Sequence, residues 1–215
     1  MEDSARHAHG DAVIVRFADD FVVGFEHRED AEQFWADLRD RLAKFGLELN
    51  AEKTRLIEFG RHAARDRAAR GLGKPETFRF LGFTHICGKT RKSGRFKLTR
   101  HTDSKRVRRK LLAVKREMAK RMHLPIPEQG RWLASVLSGH YRYYAVPDNI
   151  EALAAFRKGI IRHWLKTLRR RSQLHRLNWK RMGYLADLSL PQPRILHPWP
   201  EQRFAAITQG RSPVR

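Results

Sequence analysis

The apolar positions of the chain change twice from a β-type to a helix-type spacing. Residues 13–25, VIVRFADDFVVGF, place β-branched and aromatic residues on both sides of Asp19 and Asp20. Such a pattern predicts two strands of a β-hairpin joined by a short acidic turn. From Glu29 onward the apolar residues recur at helical spacing, and Gly46 stands where a C-terminal cap is expected. One or two further strands are predicted within residues 47–59.

The same change recurs in the rest of the chain. Residues 77–100, TFRFLGFTHICGKTRKSGRFKLTR, contain two β-like segments around a turn rich in Lys, Gly and Ser, and they predict a second hairpin. Residues 61–76 have the composition of a basic surface connection. Beyond Ser104, three segments with helical spacing are separated by prolines, and the proline-rich segment 190–200 is predicted to be extended. The pattern as a whole predicts an α+β fold.

The charge of the chain is large and unevenly distributed. The 215 residues are 41% hydrophobic, which is enough for a globular core, and they carry a formal net charge of +22. Residues 1–60 hold 8 Lys/Arg against 14 Asp/Glu, whereas residues 61–215 hold 37 against 9. An acidic part thus precedes a strongly basic one. This excess of cations predicts a polyanionic partner, with nucleic acid as the first candidate.

The cysteine count and the hydropathy pattern restrict the class of protein further. Cys87 is the single cysteine, which excludes an internal disulfide and every zinc site built on paired cysteines. The first twenty residues lack an apolar signal-peptide core, and no segment approaches the ~18 apolar residues of a membrane span. We therefore expect a soluble, cytoplasmic protein without a membrane partner.

The adjacent aspartates of the first hairpin have two possible roles. Aspartates in a turn can satisfy the backbone through side-chain hydrogen bonds. The flanking Phe17, Ala18, Phe21 and Val22 are apolar, however, and they predict a largely buried hairpin in which two carboxylates repel each other. A divalent cation such as Mg²⁺ offsets that repulsion. Beside a basic nucleic-acid surface, such a site suggests phosphoryl transfer assisted by two metal ions.

Four segments of the sequence resemble one known family. RFADDFVVGF (16–25) is similar to the aromatic-x-Asp-Asp motif of reverse transcriptases, in the form found in group II intron reverse transcriptases and maturases. The segments that follow the predicted helix come in a similar order: GLELNAEKTRLIEFG (46–60), FRFLGF (78–83), and a basic helical region that contains LSGHYRYYA (137–145). The resemblance therefore extends over nearly the whole chain.

This resemblance implies a domain organisation and a function. It implies a partial reverse-transcriptase palm of antiparallel strands and a helix at 1–100, a basic helical thumb/maturase domain at 101–185, and an extended C-terminal tail at 186–215. The implied activity is RNA-directed DNA synthesis with two Mg²⁺ ions. The implied partners are group II intron RNA and an RNA or DNA template-primer.

The resemblance also implies roles for individual residues. Asp19 and Asp20 match the metal-binding pair of the palm hairpin, and Lys53 matches a lysine that can donate a proton to the leaving pyrophosphate. On sequence alone, a lysine in this position is more often an ordinary solvated lysine at a strand edge. The primer-grip region of the family matches Phe80, Leu81, Gly82 and Phe83. A core strand with a bulge is the structural alternative for that region, and both roles can hold together.

The sequence departs from the family in two ways. Phe17 stands where the family often has tyrosine, and only about a dozen residues precede the hairpin, so the fingers and an earlier palm aspartate have no counterpart. Asp11 cannot replace that aspartate, because at ~3.3 Å per residue along a strand it lies about 26 Å from Asp19. We therefore expect DNA synthesis only together with a second polypeptide, such as an N-terminal reverse-transcriptase fragment.

The basic half predicts a nucleic-acid surface that does not depend on the aspartates. In residues 107–120 the apolar positions form one helical face, and the cations occupy the rest of the surface. The arginine-rich run at 168–182 resembles the end of the family's maturase region. The predicted phosphate contacts are Arg108, Arg109, Lys110, Lys115, Arg116, Lys120, Arg169, Arg170, Arg171, Arg176, Lys180 and Arg181. Trp132 and Tyr144 are predicted to pack in the helical core.

Two functions remain open at this point. The first is the C-terminal portion of a group II intron reverse transcriptase that contributes two Mg²⁺-binding aspartates to DNA synthesis. The second is a non-catalytic, RNA-binding, maturase-like protein that assists intron splicing and keeps the aspartates as a remnant.

Overall fold

The computed structural model describes residues 8–171 and 177–199, and it confirms the α+β class. The strands in these ranges are β1 (Ala12–Phe17), β2 (Asp20–Phe25), β3 (Phe78–Phe80), β4 (Phe83–Lys89) and β5 (Phe96–Thr102). The helices are α1 (Arg28–Ala43), α2 (Ala63–Ala69), α3 (Ser104–Lys120), α4 (Ile126–Tyr144), α5 (Ile150–Arg169) and α6 (Trp179–Ser189). None of these helices is long and apolar enough to cross a membrane.

The described residues fall into two compact units. One unit comprises the positions up to Leu81 together with Ile86–Leu98. The other comprises Gly82–His85 and the positions from Thr99 onward.

The first unit is built on the predicted hairpin and helix. Strands β1 and β2 pair antiparallel, and α1 packs on β2 through Phe25 and Phe34, whose ring centroids are 5.3 Å apart. Gly46 caps α1 as the sequence predicts, because it has a φ of 66° and its N–H bonds to the carbonyl of Ala43. The N–H of Leu47 bonds to the carbonyl of Leu42, which completes a Schellman motif.

The strands predicted within residues 47–59 are absent from the structure. Asn50 closes a turn there, since its side-chain oxygen accepts hydrogen bonds from the backbone N–H groups of Glu52 and Lys53. The local turn removes these backbone groups from any ladder, and the residues up to Phe59 are irregular. The basic connection that follows contains the short helix α2, whose flanking Arg70 forms an ion pair with Glu58.

The second sheet has three strands, in the order β3–β4–β5, where the sequence pattern predicts two. The first β-like segment is divided by a tight turn at Leu81 and Gly82, which have φ values of 48° and 79°. Two consecutive positive φ values define a turn whose twist suits a hairpin. The predicted second turn is confirmed between β4 and β5, where the N–H of Thr90 donates to the carbonyl of Arg95.

The second unit has the larger hydrophobic core. Helix α5 crosses this core with Leu153, Phe156, Ile160 and Trp164 fully buried, and helices α3, α4 and α6 pack against it. The predicted helices of this region are confirmed as α3, α4 and α5. Gly159 allows the close crossing of α3 and α5, because a Cβ at this position would lie 2.9 Å from the Leu111 side chain.

The end of the described chain differs from its predicted form. Helix α6 begins after Asn178, whose side chain accepts a hydrogen bond from the N–H of Arg181, and it continues to Ser189. The irregular segment therefore begins at Leu190 rather than at residue 186. It is fixed to the end of α4, since the N–H groups of Leu196 and His197 both donate to the carbonyl of Ala145.

Candidate metal and nucleic-acid sites

The two aspartates lie at the tip of the β1–β2 hairpin. Phe17 pairs with Asp20, so that Ala18 and Asp19 form a two-residue turn. Ala18 has a φ of 53°, a left-handed conformation that costs about 1–2 kcal/mol for a residue with a Cβ. The turn thus holds Asp19 at its outer end, and Asp20 opens β2.

The prediction of a largely buried hairpin is wrong. Val13, Val15 and Phe17 are 62%, 49% and 64% exposed, and both Asp19 and Asp20 are exposed. These three apolar residues share one face of β1, because side chains alternate between the two faces of a strand. In the described residues this sheet consists of β1 and β2 alone, and this face of it is largely exposed.

The aspartates are suited to Mg²⁺ as a partial ligand set. Mg²⁺ is usually held by one or two carboxylates and keeps several waters, and both carboxylates are accessible for that role. The Arg16 guanidinium lies beside the turn, where its Nε donates to the carbonyl of Ala18 at 2.9 Å. In residues 8–171 and 177–199, no cluster of three or more His, Cys, Asp or Glu side chains could hold a metal ion. Asp11 is at the far end of the hairpin, with its carbonyl bonded to the N–H of Glu26.

Lys53 lies in the irregular segment of the first unit. The structure places it in the turn closed by Asn50 instead of at a strand edge, and it is exposed. Within the described residues, the Lys53 ammonium group forms no ion pair with Asp19 or Asp20. Its proposed role as a proton donor remains a prediction.

The residues predicted as a primer grip, Phe80–Phe83, form the tight turn between β3 and β4 instead of one bulged strand. Gly82 is buried, and its carbonyl accepts a hydrogen bond from the N–H of Asp103 at 3.0 Å. A Cβ at Gly82 would lie 2.8 Å from the Tyr144 hydroxyl. The glycine therefore permits a close approach to helix α4 within the second unit.

Replacing this glycine tests how tightly the turn is specified. We expect Gly82→Ala to lower the free energy of unfolding by about 2 kcal/mol, because alanine is strained at a φ of 79° and its methyl group meets the Tyr144 hydroxyl. In a Tyr144→Phe background the same change should cost less by roughly 1 kcal/mol. Urea denaturation of the wild type, the two single variants and the double variant measures the cost of Gly82→Ala in each background. Equal costs in the two backgrounds would contradict the proposed contact.

Helix α3 has the amphipathic form that the sequence predicts. Val114 and Met118 are buried in the core, and Val107 and Leu111 pack partly against it. All six predicted cations of this helix are exposed: Arg108, Arg109, Lys110, Lys115, Arg116 and Lys120. Lys120 forms an ion pair with Glu117 at 3.2 Å. The other five form no ion pair with any described residue, so that their charge is available to a partner.

The second predicted basic cluster is partly engaged within the protein. Arg169 donates to the carbonyl of Leu177 at 3.1 Å, and Arg171 donates to the carbonyl of Leu124 at 3.4 Å. Arg170 caps the end of α5, and Lys180 and Arg181 lie exposed in the first turn of α6. Arg176 lies outside the described residues. Arg169 and Arg171 therefore stabilise the structure around the end of α5, in addition to any contact with phosphate.

The aromatic residues of α4 divide between the core and the surface. Trp132 and Tyr144 pack against the hydrophobic core, as predicted, and Tyr141 is only 3% exposed. Tyr143 is 49% exposed and stacks on Phe83, with the ring centroids 5.8 Å apart and the planes inclined by 17°. Tyr143 is thus the aromatic residue of this group that presents the most surface to a base.

A carboxylate pair and a basic helix surface are features of proteins that act on nucleic acid. Comparison with known families identifies a more specific class for one part of the chain. Residues 1–85 match the model of the reverse transcriptase (RNA-dependent DNA polymerase) family. The matched segment contains the hairpin with Asp19 and Asp20, helix α1 and the turn at Leu81 and Gly82. No curated protein matches the chain. The match supports a relationship to reverse transcriptases for this segment, and that family acts on a nucleic-acid template-primer.

Proposed function

We propose that the chain contributes the C-terminal palm and a thumb/maturase region to a group II intron reverse transcriptase. The observation that carries this proposal is the exposed Asp19–Asp20 pair at the hairpin tip, within the segment that is similar to reverse transcriptases. When bound there, Mg²⁺ would activate the primer 3′-oxygen and stabilise the leaving pyrophosphate. Asp19 and Asp20 would orient the ions, and the cations of α3 would hold the template-primer duplex.

The ligand set at the hairpin requires a contribution from elsewhere. Two carboxylates do not complete a two-metal site, and the described residues offer no third acidic group beside them. We infer that a further carboxylate reaches the site from outside the described residues, for example from an N-terminal reverse-transcriptase fragment. The exposed apolar face of β1 is compatible with such an addition, since it presents Val13, Val15 and Phe17 beside the aspartates.

A primer-extension assay tests this function directly. The full chain is incubated with Mg²⁺ and a primed RNA template, alone and with a polypeptide that carries the fingers and N-terminal palm of a group II intron reverse transcriptase. We expect synthesis only in the mixture, and we expect Asp19→Asn to abolish it. Synthesis that survives Asp19→Asn would refute the catalytic role of the pair.

A second function, RNA binding without catalysis, is favoured by a different observation. The described residues hold the complete cation face of α3, whereas they do not hold a complete metal site. A maturase-like protein that assists intron folding would need only the former. Tight binding of structured intron RNA, together with no synthesis in the mixture described above, would support this function.

Metal binding at the hairpin tip can be measured without activity. We expect Mn²⁺, added in place of Mg²⁺ to the ¹⁵N-labelled chain, to broaden the amide signals of residues 18–21 in a saturable manner. Asp20→Asn should weaken this binding by at least about tenfold, since it removes one of two charged ligands. Asp37→Asn, at an exposed acidic position of α1, serves as the matched control and should leave the titration unchanged. Equal broadening in both variants would indicate non-specific binding.

A further inference from the structure

A cavity of about 380 Å³ lies within the second unit, between the start of helix α3 and the end of helix α4. Its size is within the range of roughly 300–1,000 Å³ that is typical of ligand pockets. The lining residues are Thr102, Arg106, Val107, Arg109, Lys110, Ala113, Gly139, His140 and Tyr144. None of these nine described residues is acidic. The sequence pattern does not single out Arg106 or His140 for any site.

Three cations from successive turns of α3 line this cavity. Arg106, Arg109 and Lys110 lie at i, i+3 and i+4, a spacing that places side chains on the same side of a helix. None of the three forms an ion pair with any residue in the described part of the chain. Like charges so close together repel each other, and an anion between them would remove that repulsion.

His140 supplies the observation that points to a ligand in this cavity. The residue is 7% exposed, and its Nε2 atom is buried without a hydrogen-bond partner. Its ring is held by stacking on Phe156, with ring centroids 3.9 Å apart, and by contact with Tyr144 at 4.5 Å. Buried polar atoms in folded proteins nearly always have a partner, so the unpaired Nε2 of a residue that lines the cavity indicates a missing acceptor or donor.

The protonation state of His140 determines which kind of ligand atom fits. Burial, together with the nearby charge of Lys110, lowers the pKa of His140 to about 4. The imidazole is therefore neutral near pH 7, and its Nε2 can carry the ring proton and donate one hydrogen bond. A ligand oxygen that accepts from His140 and also attracts three cations is an anionic oxygen.

We propose that this cavity binds a phosphate group, with Arg106, Arg109 and Lys110 as its counter-charges and His140 as a hydrogen-bond donor. The guanidinium groups suit phosphate because they present two parallel N–H donors to its oxygens. The volume leaves room for the sugar attached to the phosphate. The source of the phosphate rests on the proposed function, from which we infer the backbone of a bound nucleic acid. The phosphate site itself does not depend on that function.

Gly139 offers a variant pair that separates binding from folding. This residue lines the cavity, and a Cβ built on it meets no atom within 4 Å. Gly139→Glu and Gly139→Gln both replace a glycine inside a helix with a better helix former, so neither should lower the melting temperature. They differ only in a negative charge at the cavity wall.

The experiment follows the ring signals of His140 by NMR in the full chain, labelled with ¹³C and ¹⁵N histidine. We expect inorganic phosphate to shift the His140 signals in a saturable manner. Gly139→Glu should raise the apparent Kd by at least about tenfold, and Gly139→Gln should change it by less than about threefold. An unchanged His140 signal, or equal effects of the two variants, would overturn the proposal.

A nucleoside monophosphate and a short oligonucleotide identify the source of the phosphate. If the oligonucleotide shifts His140 and competes with inorganic phosphate, the backbone is the ligand. If only the monophosphate does so, the cavity is a phosphate site for free nucleotides. If neither inorganic phosphate nor the oligonucleotide shifts His140, while the oligonucleotide binds Gly139→Glu as tightly as the wild type, the proposal fails while nucleic-acid binding stands. If phosphate binds in the cavity but no nucleic acid binds the chain, the proposed function fails and the site stands.

Discussion

RNA binding by this chain is expected to weaken by about 250- to 1,000-fold when the salt concentration rises from about 50 to about 200 mM. The expectation follows from the exposed cations of α3, five of which form no ion pair with a described residue, and from the exposed Lys180 on α6. Each phosphate contact releases condensed counterions, so about six contacts give a slope of roughly −4 to −5 in a plot of log K against log salt. Filter binding of a structured RNA over a salt series measures this slope.

A set of substitutions assigns the salt dependence to helix α3. The triple variant Arg108→Gln, Lys115→Gln, Arg116→Gln removes three charges that do not line the phosphate cavity. We expect it to reduce the magnitude of the slope by about 2. The matched control removes three charges from α1, with Arg28→Gln, Arg39→Gln and Arg41→Gln.

The control is expected to have little effect for a structural reason. Arg28 forms an ion pair with Glu32, and Arg39 lies 3.6 Å from Asp40, so that these cations are partly compensated in the free chain. An equal loss of slope in both triple variants would show that binding depends on total charge and not on the α3 surface. An affinity that hardly changes with salt would refute the phosphate contacts altogether.

The spacing of apolar residues was sufficient to predict the elements whose backbone is determined locally. The hairpin around Asp19 and Asp20 and the helices α3, α4 and α5 follow from period-2 and period-3.6 patterns, and Gly46 is a local cap signal. The turn at Leu81 could not be predicted in the same way, because leucine rarely adopts a positive φ. It is held there in part by contacts of Gly82 with residues far along the chain, Asp103 and Tyr144.

Exposure and pairing of side chains depended on tertiary contacts that the pattern does not contain. Val13, Val15 and Phe17 have the composition of a buried strand face, yet the described residues leave them largely exposed. His140 lies three positions after the buried Leu137, so by helical spacing alone it is an ordinary residue of a helix core. Only the fold shows that its Nε2 is unpaired and that Arg106, one cation among many in a basic run, lies beside the same cavity.

A single buried amide contacts the backbone just after the end of α3, and its replacement should have the largest effect on stability. Gln129 is fully buried, and its amide nitrogen lies 3.0–3.1 Å from the carbonyl oxygens of Arg121, Met122 and Leu124, just after the end of α3. Its amide oxygen accepts a hydrogen bond from the Trp164 indole at 2.8 Å. One side chain thus connects the end of α3 with α4 and α5.

Gln129→Glu is expected to lower the free energy of unfolding at pH 7.5 by about 3–5 kcal/mol, because it places an uncompensated charge in the core. The substitution preserves size but replaces the donor nitrogen with an oxygen that faces three carbonyl oxygens. Glu128→Gln, at the exposed neighbouring position, changes the charge by the same amount in the opposite sense and should alter stability by less than about 0.5 kcal/mol. Urea denaturation followed by tryptophan fluorescence measures both.

The pH dependence of the stability lost in Gln129→Glu distinguishes a buried charge from a simple packing defect. Burial raises the pKa of a carboxyl group at position 129 in the folded state above its unfolded value near ~4.3. The folded variant then binds its proton more tightly than the unfolded chain, so its stability relative to wild type falls as the pH rises from about 4 through the folded pKa, by up to about 1.4 kcal/mol per pH unit. A loss that is the same at pH 4.5 and pH 7.5 would instead mean that water reaches position 129.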